Sequence, residues 1–271
     1  MLKTICRYGE EDMMLDVFSY TSAGGRSHNE DTIAYRTENG HGLFVVADGL
    51  GGHSRGEVAS GCVAAVMLND WSPDPADSGE EGREFSRRDW LCNKFREANR
   101  AVLDLQKEQG RVMKSTAVAL AIDDDKACWA HAGDSRLYYI RQGRINHITW
   151  DHSVAFKKWR AGEITRWQIN TDEDQSALLR TLGSEDRSEP EAGPANVEIA
   201  PGDAFMLCSD GVWEYLHDTE VLVDYLKSLQ ASDWGTRLLM RVMDRIDGTN
   251  DNLSIITILV ELLFSGAACG S

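Results

Sequence analysis

The sequence predicts an α+β fold, a four-layer α-β-β-α sandwich in which two packed antiparallel sheets are flanked by helix pairs. Roughly ten segments are rich in β-branched and aromatic residues, and short turn-like links join several of them into hairpins. Amphipathic helical stripes fall in separate pairs between these segments. Hairpins in series with helices set apart favour α+β over a doubly wound parallel sheet. So many strands exceed one ordinary open sheet, which favours two packed sheets.

The predicted strands are short apolar runs bounded by turn residues. Four of them form an antiparallel meander, because the links between them are the short turns DDDK, GDS and RQGR. In chain order the predicted strands are 15–21, 31–37, 43–47, 116–122, 127–132, 136–140, 145–149, 197–200, 204–208 and 253–260.

Apolar residues at helical spacing predict two helix pairs. The first helix begins near Ser54, because Ser54 and Glu57 have the spacing of a capping box. A loop-like insertion at 72–82 separates it from its partner, and the segment 151–170 is expected to be helical or irregular. The remaining predicted helical stripes are 91–105, 221–226 and 238–246.

Composition and charge limit the classes of protein to which this chain can belong. The 271 residues are 42% hydrophobic and no linker-like stretch divides them, so we expect one domain at 15–262 with terminal extensions at 1–14 and 263–271. The net charge of −16 opposes binding to a phosphate backbone, which argues against a nucleic-acid partner. No apolar run approaches the ~20 residues of a membrane span, and no secretory signal is recognised, so we expect no membrane association.

The cysteines indicate the compartment. Six cysteines are widely spaced, and no C-x-x-C pair occurs. Free thiols in a reducing environment are the simpler interpretation. We therefore expect a cytoplasmic protein, and we expect it to be a monomer.

Aspartates recur at the ends of predicted strands. Asp48 follows the apolar run 43–47, Asp210 follows 204–208, Asp134 follows 127–132, and Asp251 precedes the last strand. Strand ends project side chains from a rigid sheet, so these carboxylates could converge on one point. Converging carboxylates repel one another unless a cation lies between them, and hard divalent cations prefer oxygen ligands.

The glycine cluster Gly49-Leu50-Gly51-Gly52 does not fit a nucleotide-binding loop. A dinucleotide fingerprint would need glycine where Ser54 stands, and no Gly-Lys-Ser/Thr triplet follows. These glycines instead indicate that the backbone approaches another group closely. Arg26, four residues before Glu30, reads by itself as a surface ion-pair partner. Beside bound cations, its planar guanidinium would suit a phosphate monoester.

Taken in order, these blocks resemble the metal-dependent serine/threonine protein phosphatases of type 2C, in their bacterial-type subgroup. The resemblance runs from about residue 19 to residue 260, which is nearly the whole chain. Eight blocks in the family's order are far more specific than any single Asp-Gly pair. The blocks are Arg26 with Asn29-Glu30-Asp31, VVADGLGGH, MKSTAVAL, AHAGDSRLYYI, DHS, LLRTLG, LCSDGVWEYL and NDNLSIITI.

The resemblance implies a fold, an activity and a ligand set. The fold is two face-to-face antiparallel sheets with outer helix pairs, and the activity is removal of phosphate from phosphoserine and phosphothreonine in proteins with two Mn²⁺ or Mg²⁺ ions. Asp48 would bridge both ions, the Gly49 carbonyl would bind one, and Asp210 and Asp251 would complete the other. Asp134 matches the position associated with a third, weaker ion.

The other matching residues act on water and phosphate. By resemblance, Glu30 and Asp31 would hold metal-bound waters and Arg26 would clamp the phosphate. Two cations roughly 3.5–4 Å apart lower the pKa of a bridging water, so that hydroxide attacks phosphorus without a phosphoenzyme. A Ser/Thr kinase that makes the substrates is the implied partner.

Two departures from the family concern acid catalysis and the flap. Many relatives carry His directly after the Asp-Gly pair, where this chain has Leu50, so the general acid is unassigned; His53 is one candidate and a structural turn residue is the other reading. His131 and His152 are expected to be structural, hydrogen-bonded histidines. The variable flap corresponds to 155–174, and its Trp159 and Trp167 either anchor substrate or pack the flap, the second being expected.

Two other functions are weighed. One is a non-catalytic phosphatase-like sensor without metals, which the complete ligand set argues against. The other is a phosphoesterase for small molecules, since the central chemistry does not require a protein substrate.

Overall fold

The computed structural model describes residues 2–8, 11–38, 40–51, 55–73 and 86–262, and for residues 2–12 it describes the backbone alone. The strands are β1 Leu2–Tyr8, β2 Glu11–Ser22, β3 Asp31–Glu38, β4 His41–Leu50, β5 Lys114–Ser115, β6 Ala117–Asp123, β7 Lys126–Ala132, β8 Arg136–Arg141, β9 Arg144–Ile148, β10 Glu191–Ala192, β11 Val197–Glu198, β12 Ala204–Cys208 and β13 Leu253–Leu262. The helices are α1 Gly56–Leu68, α2 Arg87–Gln109, α3 Val154–Arg160, α4 Asp210–Trp213, α5 Asp218–Leu226 and α6 Ala231–Met243, and a 3₁₀ helix spans Trp167–Thr171.

The strands form two sheets. The first has the order β1-β2-β13-β12-β8-β9, and the second has the order β10-β7-β6-β4-β3, with β11 also on β7 and β5 also on β4. Every named strand pair is antiparallel. The predicted α+β class with two antiparallel sheets is therefore confirmed.

Strand β4 shows how side-chain alternation creates the layers. Phe44 and Val46 point into the core between the two sheets, where they meet residues of β2, β12 and β13. Leu43, Val45 and Ala47 point to the other face, where α1 and α2 cover them. Because successive residues of a strand face opposite sides, an uninterrupted apolar run is buried on both faces.

The first sheet is covered on its outer face by the second helix pair. Ile256 and Ile258 of β13 lie in the core between the sheets. Ile255 of the same strand packs outward against Leu238 and Val242 of α6. The layers are thus α1/α2, second sheet, first sheet and α5/α6, which is the predicted four-layer sandwich.

The N-terminal segment differs from the prediction. Residues 2–8 and 11–14, expected to belong to an extension, form β1 and the start of β2 in the first sheet. Met13 is fully buried in the core between the sheets. The acidic residues next to the short apolar run at the start of β2 hid its strand character. In the structure, pairing with β13 orders this part of the strand.

Other boundaries also differ. The predicted strand 197–200 is the two-residue β11, and α4 directly after β12 was not predicted. The segment 151–170 contains α3 and the start of the 3₁₀ helix, as expected. Ser54 and most of the predicted insertion, residues 74–82, lie outside the described residues.

Two expectations on the chain's class can be compared with the structure. The four cysteines whose side chains are described, at positions 62, 92, 128 and 208, are free thiols. Among the helices that the structure describes, none is long and apolar enough to cross a membrane.

Candidate active site

The pairing of the strands brings the predicted aspartates to one end of the sandwich. Asp31 at the start of β3 is the direct cross-strand partner of Asp48 in β4. β12 and β13 are antiparallel neighbours, so Asp210 after the end of β12 and Asp251 before the start of β13 lie at the same end of the first sheet. A hydrogen bond of 2.7 Å from Ser209 Oγ to Asp31 Oδ2 joins the two sheets at this end.

Burial and mutual repulsion raise the pKa values of these carboxyl groups. The pKa of Asp48 is well above its usual range because of burial, with Asp210 as the largest charged contributor. Burial and the charge of Asp134 raise the pKa of Asp210 in the same way. Burial raises the pKa of Asp31 to about 6, although hydrogen bonds from Ser254 and Ser209 oppose the shift. An environment that resists negative charge so strongly favours a cation among the carboxylates.

Asp134 is the most deeply enclosed of them. Burial, followed by the charge of Asp151, raises its pKa to about 8. Its Oδ1 atom is buried and has no hydrogen-bond partner among the described residues. A buried carboxylate oxygen without a donor is costly, and a cation would satisfy it.

Two of these carboxylates have separate hydrogen-bond partners. Among the described residues, no three His, Cys, Asp or Glu side chains are close enough to form a metal-binding group. Asp210 Oδ1 accepts from the Gly211 N–H at 2.7 Å, and Asp251 Oδ2 accepts from Arg26 Nη2 at 2.8 Å. The donor set contains only oxygen, and this chemistry fits hard divalent cations such as Mg²⁺ or Mn²⁺.

Gly49 lets β4 touch the start of α1. Its N–H donates to the Glu30 carbonyl at 3.1 Å. A Cβ on Gly49 would lie 2.1 Å from the Gly56 carbonyl oxygen, so only glycine fits. The expected close approach is thus present, and the group approached is the first residue of helix α1.

Glu30 is held by the same helix. Its Oε1 accepts from the Gly56 N–H at 3.1 Å, an interaction that the positive end of a helix dipole strengthens. Its backbone N–H donates to Asn252 Oδ1 at 2.7 Å, and Ser60 Oγ donates to its carbonyl at 2.6 Å. The carboxylate therefore has one defined position beside the cluster.

Arg26 lies on the exposed rim of the site. Its side chain is 58% exposed and contacts Asp251, which is itself 40% exposed. Asn252 fixes the loop that carries it, because Asn252 Nδ2 donates to the carbonyls of Ala23 and His28, both at 2.9 Å. The sequence interpretation missed this positioning role of Asn252, although the residue stands inside a quoted block.

Glu214 is a carboxylate of the site that was not predicted. It follows Asp210 by one helical turn, and burial raises its pKa to about 7, while the charge of Asp251 also raises it. Its charge in turn raises the pKa values of Asp134 and Asp210. Its Oε1 accepts from Gln175 Nε2, which comes from the chain just after the flap. The i, i+4 spacing to Asp210 is the signal that could have identified it.

A buried ion pair supports the floor of the site. The side chains of Arg136 and Asp151 are both at most 2% exposed. Arg136 donates two hydrogen bonds to Asp151, of 2.8 and 2.6 Å. The guanidinium lies 3.5 Å from the centroid of the Trp213 ring. Trp213 Nε1 in turn donates to the Asp134 carbonyl at 2.9 Å. This chain of contacts fixes the backbone that carries Asp134.

The two buried histidines are hydrogen-bonded, as expected. His131 Nε2 lies 2.8 Å from the Trp150 carbonyl, and His152 Nδ1 accepts from the Gly133 N–H at 3.1 Å. The rings stack with centroids 4.6 Å apart. Burial, followed by the charge of His152, lowers the pKa of His131 to about 4. His53, considered as a general acid, lies outside the described residues.

The flap tryptophans differ in exposure. Trp159 packs edge-on against Phe156 with ring centroids 5.0 Å apart. Trp167 stacks on His217 at 3.6 Å between centroids, yet it stays 40% exposed. Asn170 Nδ2 ties the flap to α4, because it donates to the carbonyls of Trp213 at 3.2 Å and Glu214 at 2.8 Å.

A sandwich of two antiparallel sheets with an all-oxygen carboxylate cluster and a rim arginine defines the class of metal-dependent phosphatases. The family model for protein phosphatase 2C matches residues 23–238. The chain belongs to the protein phosphatase 2C family. The protein phosphatase PhpP of Streptococcus pneumoniae serotype 2 is 28% identical over 232 residues, which cover 85% of this chain and 91% of that protein.

Solved structures agree with this assignment. The serine/threonine phosphatase of S. agalactiae is 27% identical, with a TM-score of 0.77 over 91% of this chain and 100% of that one. The catalytic domain of the serine/threonine phosphatase PstP, in complex with two manganese ions, is 26% identical, with a TM-score of 0.74 over 92% and 99% of the two chains.

Proposed function

We propose that this protein hydrolyses phosphoserine and phosphothreonine in phosphoproteins, with water as the nucleophile and without a phosphoenzyme. The observation that carries the proposal is the placement of Asp31, Asp48, Asp210 and Asp251 at one end of the sandwich, where Asp251 contacts Arg26. Relatives named serine/threonine phosphatases share this fold over nearly their whole length. Their protein substrates support the same substrate class here, and the substrates imply a Ser/Thr kinase as the opposing partner.

Two divalent cations, Mn²⁺ or Mg²⁺, fit the donor set. Asp48, the Gly49 carbonyl, Asp210 and Asp251 would hold them, and Asp134 would contribute to a third ion. The unpartnered oxygen of Asp134 and the raised pKa values of Asp48 and Asp210 support these assignments. When bound, such ions lower the pKa of water and polarise the phosphoryl oxygens.

The other residues orient the reactants. Arg26 presents a planar fork of donors to the phosphate at the rim, where its partner Asp251 leaves it accessible. The carboxylates of Glu30 and Asp31 are held by Gly56 and Ser209 respectively, and their remaining lone pairs would accept hydrogen bonds from water. We place these two residues in ordering water around the cations.

The test is metal-dependent turnover of p-nitrophenyl phosphate and of a phosphothreonine peptide. Asp48→Asn and Asp210→Asn should each lower kcat/KM by about a thousandfold or more, because each removes the charge that a cation needs. Asp104→Asn, on an exposed face of α2, is the matched control and should retain full activity. Near-normal turnover in a correctly folded Asp48→Asn protein would rule out the metal assignment.

A further inference from the structure

A cleft of about 900 Å³ lies beside the flap, apart from the carboxylate cluster. Helix α3 and the segment 186–191 contribute its walls. The residues used below line it: Trp150, Phe156, Lys157, Arg160, Arg180 and Arg187.

The cleft carries an unusual local charge for a chain with a net charge of −16. Lys157, Arg160 and Arg187 are exposed, and within the described part of the chain none of them forms an ion pair with a carboxylate. Cations without partners on an acidic protein attract acidic ligands over short distances, because clefts concentrate the local field.

Most of the carboxylates that line the cleft already have a partner, either outside the cleft or within its lining. Asp151 is bound by the buried Arg136 at 2.6 Å, and Glu189 by Arg96 at 3.1 Å. Glu191 Oε2 lies 3.3 Å from His152 Nε2. The hydrogen bond with His152 lowers the pKa of Glu191, and the charge of Arg180 contributes to the shift, so Arg180 offsets Glu191 in the charge balance of the cleft.

Asp186 is the remaining carboxylate of the lining. Three cations therefore face one unmatched anion. This surplus gives the cleft a positive inner surface although the molecule as a whole is negative.

An aromatic wall accompanies the cations. Trp150 is 46% exposed, and its ring centroid lies 6.0 Å from that of Phe156. The Arg160 guanidinium stands 4.3 Å from the centroid of the Trp150 ring, which holds the arginine in place by a cation–π contact. An exposed tryptophan beside cations suits a peptide that presents both acidic and apolar side chains.

The cleft is connected to the active site by its own lining residues. Asp151 holds Arg136, which stacks on Trp213, and Trp213 donates to the Asp134 carbonyl. On the other wall, the chain that contains Arg180 continues to Leu182, whose backbone pairs with Ser115 beside Gly49. The two sites thus share one rigid frame.

We propose that this cleft is a docking site for an acidic segment of the phosphoprotein substrate. The proposal rests on the proposed phosphatase function. Acidic residues near the phosphorylated side chain would bind Lys157 and Arg187, with Arg160 and Trp150 as the fixed wall. The cleft would thereby select acidic substrates against the general repulsion of the negative surface.

Two phosphothreonine peptides test this selection, one with three acidic residues on each side and one with the matching amides. Lys157→Glu/Arg187→Glu should raise KM for the acidic peptide by about fivefold to tenfold and leave KM for the amide peptide within about twofold, because only the acidic peptide gains from the charges. Turnover of p-nitrophenyl phosphate should stay unchanged. The preference for the acidic peptide should also shrink at 1 M salt, where the Debye length is about 3 Å.

The matched control reverses one lysine and one arginine elsewhere. Lys126→Glu/Arg144→Glu changes the net charge equally at two exposed positions outside the cleft lining. It should leave KM for both peptides close to that of wild type. An equal loss in this control, or an equal loss on both peptides in the cleft variant, would overturn the proposal.

A binding measurement separates this proposal from the proposed activity. Fluorescence anisotropy of a labelled, non-phosphorylated acidic peptide requires no catalysis. Wild type should bind it about fivefold or more tightly than Lys157→Glu/Arg187→Glu. Equal Kd values would reject the docking site even if phosphatase activity is found, and a difference would support it even if turnover is absent.

Discussion

The surroundings of each aspartate decide its role, although the side chains are chemically identical. Asp134 is 3% exposed, and one of its oxygens has no partner among the described residues, whereas Asp251 has a 40% exposed side chain and is paired with Arg26. The first is suited to enclosing a cation. The second is suited to the open rim, where its carboxylate could bind a cation while the arginine binds a phosphate.

Replacing Arg26 by Ala should raise KM for p-nitrophenyl phosphate about tenfold and change kcat by less than about threefold. The side chain contacts the phosphate in both the ground state and the transition state, so its loss removes uniform binding. Arg26→Lys keeps the positive charge but loses the planar fork of donors, so its KM should lie between those of wild type and Arg26→Ala. Steady-state kinetics at saturating Mn²⁺ measures this, with the exposed Arg111→Ala as control. Lost kcat at unchanged KM would contradict the role.

The buried His131 predicts a loss of stability in mild acid. Its pKa is about 4 in the folded protein, below the ~6.5 of a free histidine, so the unfolded chain binds the proton first. The contribution that neutral His131 makes to the free energy of unfolding is complete above pH 6.5. It is lost as the pH falls towards 4, at about 1.4 kcal/mol per pH unit at most. Urea unfolding at several pH values should show a smaller slope for His131→Gln. An identical slope in both proteins would contradict this account.

At the scale of elements, antiparallel pairing positions the site. β3 with β4, and β12 with β13, each place one strand start beside one strand end. Four distant stretches of sequence therefore meet at one end of the sandwich. The flap is attached differently, because Asn170 of the flap and Gln175 just after it form hydrogen bonds with the end of the short helix α4 and with Glu214, which follows it.

Replacing Asn170 by Asp should loosen the flap while the sandwich stays folded. A carboxylate has the same size but cannot donate to the carbonyls of Trp213 and Glu214. We expect cleavage within 161–175 in limited proteolysis to be about five to ten times faster, which corresponds to roughly 1 kcal/mol of local stability. Asn146→Asp on the edge strand β9 is the control. Unchanged cleavage in the Asn170 variant would show that other contacts hold the flap.

At the scale of the whole molecule, negative charge is the dominant electrostatic feature. The net charge of −16 adds repulsion to the folded state, and the carboxylate cluster concentrates that repulsion. Burial, followed by repulsion from neighbouring carboxylates, raises the pKa values of Asp48 and Asp210. Cation binding should therefore affect folding as well as catalysis.

Mn²⁺ should raise the melting temperature, and EDTA should reverse both the stabilisation and the activity. At a hundred times its Kd, a ligand that binds only the folded state adds about 2.7 kcal/mol. Asp48→Asn should have a higher melting temperature than wild type without metal, because one repulsive charge is gone, and should gain less from Mn²⁺. Differential scanning fluorimetry measures this. An equal Mn²⁺ shift in both proteins would place the binding elsewhere.

Most of the fold could be predicted because its elements have clear periodicity. The apolar run of β4 and the helical stripe of α2 are visible in the sequence and are confirmed. β1 and the start of β2 were missed because their order depends on pairing between distant or adjacent strands, β1 with β2 and β2 with β13. The helix α4 was missed because four residues are too short for a periodic signal.

The sequence by itself determined the layers, the strand ends that carry aspartates, and the family resemblance, since these depend on residue type and local order. Only the tertiary structure decided which of those aspartates are deeply buried, that Glu214 and Gln175 join the site, and that cations gather in one cleft of an acidic protein. These features depend on distances between residues far apart in the chain. Pairing across sheets sets such distances, and no local pattern encodes them.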